Sequence, residues 1–413
     1  MPRAVVVHAG RRDQYQVALA LHEAGLLEKL VTDFYFPLDQ PWFANTFGRL
    51  LPSQVLQRRF CPWLPSEKVR STAAALPAIV ATRILGRVNL YPVSDGILGR
   101  AARRLARRAG ASVFAYSTYA SEALKELASR ECPRVLFQMH PHPITARRII
   151  NEELKAAPLA AASLLREHEM SIPPAVFERL AGEPSLADTI VVASSFCRSS
   201  LLENGISPQR VWVVPYGVDS ARFPAKSWRQ PTHGPLRLVF LGSIIQRKGV
   251  AYLLEAMKYL RNEPVELVLC GRIAPDAQLL RHYADCAVEI KLGLSHTQVV
   301  QELQSADLFV FPSLLEGFGH AILEAMSCGL AAVTMPNTCV PDVTVEGERG
   351  SIVPIRNPVA LADRIAWALD HRKRVAEIGR EAAAQARRFT WQPFRAGIRQ
   401  AYVSSACHYS ELR

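Results

Sequence analysis

The chain has 413 residues, 49% of them hydrophobic and 21% charged, with a formal net charge of +12. That length predicts two domains, each burying its own core, and the ordinary apolar fraction excludes intrinsic disorder and a coiled coil. No apolar run reaches the roughly 18 residues that a membrane-spanning helix needs, and the opening MPRAVVVHAG enters a strand-like run without the apolar core of a signal peptide.

Strand-like and helix-like patterns then alternate along the chain. Ala4 to His8 reads as a strand and Gln14 to Ala24 as a helix stopped by Gly25, with a second strand ending near Tyr35. From Phe36 to about Tyr91 the alternation gives way to an irregular stretch rich in Pro, Trp, Phe and Arg. Val113–Ser117 resumes the pattern as a strand, followed by a helix over Ala120–Arg130 and a strand over Arg134–Met139 that ends in His140. Further on come strand Thr189–Ala193, helix Phe196–Asn204 and strand Val211–Val214. Pro215, Gly217, Pro224, Pro231, Gly234 and Pro235 punctuate a polar stretch that reads as a linker.

The pattern restarts with strand Leu236–Leu241, helix Val250–Leu260, strand Val265–Cys270 and a strand near Val288–Lys291. Helix Thr297–Ser305, strand Leu308–Phe311, helix His320–Ser327 and strand Ala331–Met335 follow. Strands separated by helices of this length predict parallel sheets in α/β domains. The expected division is 1–214, a linker over 215–235, a second domain over 236–388 and a terminal helix over 389–413.

The charge is uneven. Residues 1–150 hold 21 Lys or Arg against 10 Asp or Glu, while the rest hold 28 against 27. A basic field of this kind suggests an anionic partner: nucleic acid, a phospholipid surface or a phosphorylated ligand. Eight cysteines run from Cys61 to Cys407 without a CxxC pair or a cysteine–histidine cluster. That argues against zinc and a disulfide framework and fits a reducing cytoplasm.

The chemistry concentrates in DLFVFPSLLEGFGHAILEAMSCGLAAVTM, residues 307–335, a strand, a glycine-bearing loop, a helix and another strand. Gly317 and Gly319 precede the helix, where backbone can approach a ligand closely and unpaired N–H groups face an anion. Glu316 sits on the loop and Glu324 on the second helical turn, two carboxylates able to accept paired sugar hydroxyls. A second segment, LRLVFLGSIIQRKGVAYLLEAM over 236–257, puts Arg247 and Lys248 at a strand-to-helix turn, a pairing suited to a diphosphate.

EGFGHAILEAMSCG resembles the E-x7-E signature of retaining glycosyltransferases of the GT-B type, family 4, in which the first glutamate lies by the donor sugar and the second holds the ribose. The resemblance implies two facing Rossmann-like domains with a cleft between them, a nucleotide-diphosphate sugar as donor, retention of anomeric configuration and no metal or other cofactor. It assigns Glu316, Lys248, Arg247 and His140 to catalysis, and Gly242, Ser243, Gly249, Gly271, Leu292, Gly317, Phe318, Gly319 and Glu324 to the donor. One position departs: the family has an arginine where this chain has Ser243, so that Arg247 takes over the charge or donor binding weakens. Residues 187–223 and 389–402 resemble the end of the family's N-terminal domain and its returning terminal helix; the first half of the chain resembles it weakly.

His140 ends a strand where α/β folds place a ligand crevice, and the resemblance puts a histidine there against the sugar, with His142 as the alternate. In HAGRRDQY the family's glycine pair is reduced to Gly10, which with Arg11, Tyr15 and His142 makes up the expected acceptor side. Arg100, Arg103, Arg104, Arg107 and Arg108 fall on one helical face, and Trp42, Phe43, Phe47, Phe60 and Trp63 lie among Arg49, Arg58 and Arg59. Such residues suit an anionic bilayer or a lipid-linked or other glycan acceptor, with peripheral docking on the cytoplasmic face of a membrane. No nucleic-acid recognition motif is present. Two alternatives stay open: a non-catalytic partner subunit, for which Ser243 speaks, and a nucleotide-sugar epimerase or hydrolase on the same scaffold.

Overall fold

The computed structural model describes residues 1–45, 52–85, 90–125, 127, 132–227, 234–273, 287–344 and 350–411. Thirteen described strands form two sheets. The first takes β1 Ala4–Val7, β2 Leu27–Thr32, β3 Val69–Ser71, β4 Ser112–Tyr116, β5 Arg134–Gln138, β6 Thr189–Val192 and β7 Val211–Val213 in the order β3-β2-β1-β4-β5-β6-β7. The second takes β8 Leu236–Ile244, β9 Val265–Ile273, β10 Val288–Leu292, β11 Leu308–Phe311, β12 Ala331–Thr334 and β13 Gly350–Ile352 in the order β10-β9-β8-β11-β12-β13. Every pairing is parallel. Strands covered by helices on both faces must be apolar throughout, and Ala4–Val7 and Leu308–Phe311 are indeed buried at every position.

The described helices of eight residues or more are α1 Gln16–Glu23, α2 Leu76–Leu85, α3 Tyr91–Ala109, α4 Pro143–Ala156, α5 Pro174–Leu186 and α6 Ser195–Glu203 in the first half. The second half has α7 Val250–Tyr259, α8 His296–Ser305, α9 His320–Ser327, α10 Pro358–Asp370, α11 Arg372–Ala386 and α12 Trp391–Glu411. Strand order reverses beside β1 in one sheet and beside β8 in the other, so the carboxyl ends of these strands open the crevices where α/β folds bind ligands. The two halves are α/β domains with such crevices facing each other, the fold that the resemblance implies.

Contacts across the cleft are close. An added Cβ at Gly317 would overlap the Met139 carbonyl oxygen, so the loop after β11 abuts the end of β5 with room for glycine alone. Ser194, the N-cap of α6, donates to the Gly317 carbonyl at 2.9 Å, and Ser195 holds Asp342. Glu153 on α4, fully buried, accepts from Gln246 at 2.6 Å, Tyr252 at 2.9 Å and Arg356 at 2.7 Å, all from the second half. The last helix returns to the first: Arg395 bonds Gln16 at 2.8 Å and Glu23 at 3.0 Å, and the Tyr402 phenol donates to the Pro2 carbonyl at 2.7 Å.

The structure departs from the sequence reading in places. The first helix begins at Gln16, because Asp13, Gln14 and Tyr15 lie in the left-handed region with φ of 40, 56 and 65°. The stretch from Phe36 to Tyr91 is not irregular throughout; it contributes edge strand β3 and helix α2. Strands β8 and β9 each run three residues past the expected end, pairing Gly242 with Gly271 and Ser243 with Arg272. Of the helix expected over 120–130, the described part is Ala120–Leu124, and residues 228–233 of the linker and Phe47 and Arg49 lie outside the described residues.

Candidate functional site

Glu316 is placed by backbone on both sides. Its N–H donates to the Asn337 carbonyl at 2.9 Å, and the next residue is pinned against β5 and α6. The carboxylate accepts from the Ser313 hydroxyl at 2.6 Å, from Lys248, and from Arg247 Nη1 at 3.4 Å. Burial alone would push this carboxyl up, but the Lys248 and Arg247 charges outweigh it and hold the group below its ordinary value. Burial draws Lys248 below the usual lysine value, with Glu316 opposing. Gly249, at φ 72° and with no room for a Cβ beside the Pro312 carbonyl, fixes the turn that aims Lys248 at Glu316.

A cavity of about 420 Å³ opens over this pair. Gly242, Lys248, Phe311 and the loop Glu316–Ala321 line it from one domain, and Arg12, Asp13, Met139, His140 and Tyr216 from the other side. His140 is exposed toward the cleft, on the wall of this cavity. Desolvation drives its imidazole well below the ordinary value, with Arg12 and Arg247 adding to the effect and Glu169 and Glu316 opposing. His320, the first residue of α9, borders the same cavity and stacks near Tyr216, ring centroids 4.7 Å apart. Desolvation brings it to about 4. Both histidines are therefore neutral at pH 7 and offer one donor and one acceptor each.

A second cavity, of about 360 Å³, adjoins the first across His320 and Asp13. Glu324, Arg222, Asp219, His296 and Trp391 border it, with Arg11 and Gln14 from the loop after β1. Burial raises the Glu324 carboxyl to about 7, with Arg222 opposing. Asp13 faces both cavities and is likewise raised by burial to about 7, although the Tyr116 phenol and the Val17 N–H donate to it.

The sequence-derived candidates divide on this geometry. Glu316, Lys248, His140, Gly242, Gly317, Phe318 and Gly319 border the larger cavity, and Glu324 and Arg11 the smaller. Arg247 is not brought to either. Its Nε donates to Glu167 at 2.9 Å and its Nη1 to the Leu315 carbonyl at 3.0 Å, so the guanidinium is committed to the domain interface. His142, named for the acceptor side, is buried as the N-cap of α4, with Nδ1 accepting from Ile144 at 3.3 Å and Nε2 beside the Ala181 carbonyl at 3.1 Å. Tyr15 is fully buried, edge-on to Tyr35, and Gly10 serves the loop by donating to Asp33 at 2.8 Å. Ser243, Gly249, Gly271 and Leu292 belong to the scaffold around the cavities rather than their lining, Leu292 lying exposed at the end of β10.

The sequence reading gave no role to Arg12, Asp13, Tyr216, Arg222 or His320, which also line the cavities. His320 alone carried a signal, standing at the start of the helix after the glycine loop.

Residues 225–385 match the family model of Glycosyl transferases group 1. Over 356 residues the chain is 28% identical to the MMP alpha-(1->4)-mannosyltransferase of Mycolicibacterium hassiacum, covering 83% of this chain and 82% of that one. Further relatives match over about half their own length, 55–58%. Among solved structures, the sucrose-phosphate synthase of Thermosynechococcus elongatus superposes with a TM-score of 0.66 at 16% identity, covering 98% of this chain and 99% of that one. HepE from Anabaena in complex with UDP superposes with a TM-score of 0.63 at 15% identity, covering 98% and 100%. These two likenesses are likenesses of fold.

Proposed function

We propose that this chain is a GT-B glycosyltransferase of group 1 that moves the sugar of a nucleotide-diphosphate donor to a lipid-linked or cell-envelope glycan acceptor held by the N-terminal domain, with retention of configuration and without a metal. The observation that carries the reading is the placement of two carboxylates either side of the start of α9. Glu316 faces the larger cavity and Glu324 the smaller, a separation that suits the sugar and the ribose of one extended donor.

In this reading Glu316, charged and braced by Lys248 and Ser313, accepts hydroxyls of the sugar, and neutral His140 hydrogen-bonds it from the opposite wall. Glu324 takes the ribose hydroxyls. As the bond to the nucleoside diphosphate breaks, negative charge grows at the phosphate, and preorganised positive groups stabilise it most effectively in a cleft closed to water. Lys248 and the N-terminus of α9, both bordering the larger cavity, support that role. Retention rests on the resemblance around Glu316 and Glu324.

The acceptor reading is supported by charge and exposure on the first half. Arg104, Arg107 and Arg108 stand exposed on α3, opposite buried Leu98, Ala102 and Ala106, and Trp42, Trp63 and Ile84 expose large apolar side chains nearby in sequence. Among the described residues no helix is long and apolar enough to cross a membrane, so docking at the cytoplasmic face would be peripheral. The test is a thermal-shift panel of UDP-, GDP- and ADP-sugars, followed by transfer to lipid-linked glycans and NMR of the product anomer. At least one donor should raise the melting temperature, and Glu316→Ala should lower transfer by about 10²–10³-fold. A protein stabilised by none of the three would sink the donor reading.

A further inference from the structure

The charge around the larger cavity does not suit a diphosphate if the C-terminal domain acts alone. Among the described residues, Lys248 is the cation that domain places on the lining, and it is already paired with Glu316. Arg247, the neighbouring cation, bonds Glu167 and the Leu315 carbonyl and does not reach the cavity. Ser243, at the end of β8, brings a hydroxyl and no charge. His140 and His320 are neutral at pH 7 for the reasons given above. Among the described residues, one lysine compensated by one glutamate leaves the partial charge of the α9 N-terminus for two phosphates, each of which is anionic.

Arg12 changes that balance from the other side of the cleft. It lies in the loop after β1, lines the same cavity as Lys248 and Gly242, and keeps its side chain open to it. Behind it, Tyr119 hydrogen-bonds the guanidinium and Asp95 adds a longer-range attraction. The three left-handed residues that follow, Asp13 to Tyr15, make the chain turn sharply before α1, so that Arg12 stands at the cleft and not on the helix. A planar guanidinium suits paired phosphate oxygens better than a lysine does.

We propose that Arg12, on the N-terminal domain, supplies the second cation of the diphosphate site, facing Lys248 across the cavity. This rests on the donor reading above and deepens it: the leaving group meets this second cation only when the two domains are as close as Gly317 and Met139 are here.

The experiment is calorimetric titration of the full chain with UDP, GDP and ADP and with the matching monophosphates. For whichever diphosphate the wild type binds, Arg12→Ala should weaken binding about tenfold while the monophosphate changes less than about threefold. Arg12→Lys, which keeps the charge and guards against a folding artefact, should retain most of the affinity. Ser243→Arg placed in the Arg12→Ala background should restore at least about half of the lost binding free energy, by extending charge from the end of β8 toward the cavity. Diphosphate affinity unchanged by Arg12→Ala, with the loss confined to the acceptor KM, would overturn the proposal and leave the donor reading standing. A wild type that binds none of the three diphosphates would overturn both.

Discussion

Glu324 is the residue whose chemistry is most open to test by pH. Burial raises its carboxyl from 4.5 to about 7, so it is mostly protonated at slightly acid pH and ionised at slightly alkaline pH. Only the ionised form accepts two hydroxyls at once. If it holds a ribose, affinity for a nucleoside diphosphate should rise about tenfold from pH 6 to pH 8, and Glu324→Gln should flatten that part of the profile. The same proton tightens in the folded state, so this group's contribution to stability falls as pH rises from 4.5 to about 7. Titration of both proteins across that range checks both statements. At this scale the sequence was readable where partners are close along the chain. Ser313, Glu316 and Glu324 sit within one continuous segment, and Lys248 follows a strand end by a fixed turn. The orientation of Arg247 was not readable, because Glu167, 80 residues away, decides it. The setting of His142 was unreadable for a similar reason: a proline-flanked histidine looks like a loop residue until Ala181 and Ile144 are seen to satisfy its ring.

Among the elements, α4 joins the domains most firmly. Its Glu153 is fully buried and bonds Gln246, which directly precedes Arg247, along with Tyr252 and Arg356. Arg356 is itself held at φ 60°, a left-handed conformation that a non-glycine residue adopts at a cost. Removing the carboxylate leaves several donors facing one another without an acceptor. Glu153→Ala should therefore cost about 3 kcal/mol in denaturant unfolding, whereas Arg148→Ala on the exposed face of the same helix should cost less than about 1 kcal/mol. Strand β11, helix α9 and strand β12 follow the sequence reading almost residue for residue. Their four-residue apolar strands are bounded by Pro312, Gly319 and Gly329, which leave little choice of limits. Helices α2, α4, α5, α10 and α11 escaped that reading, and edge strands β3 and β13 did too, each being three residues long.

For the molecule as a whole, the chain passes between domains at two places that lie side by side. The Val218 N–H donates to the Phe389 carbonyl at 2.8 Å, and Gly217 packs against Thr390 so closely that a Cβ would not fit. Two adjacent crossings confine any opening of the cleft to rotation about that line. Beyond them α12 covers the first domain, burying Phe394, Ile398, Ala401 and Tyr402 and packing Phe394 against Phe137 and Tyr216. Ending the chain before Trp391 should strip that cover and abolish cooperative unfolding of the first domain. The second domain should keep its own transition, and calorimetry of the truncated protein would separate the two. The position of α12 also sets an order of events at the ribosome. The first domain is translated first, but the helix that closes it follows the second domain, within reach of Pro2 only once Tyr402 has left the exit tunnel. The second domain, continuous in the chain from β8 through α11, can therefore complete its fold while the first still waits for its final piece.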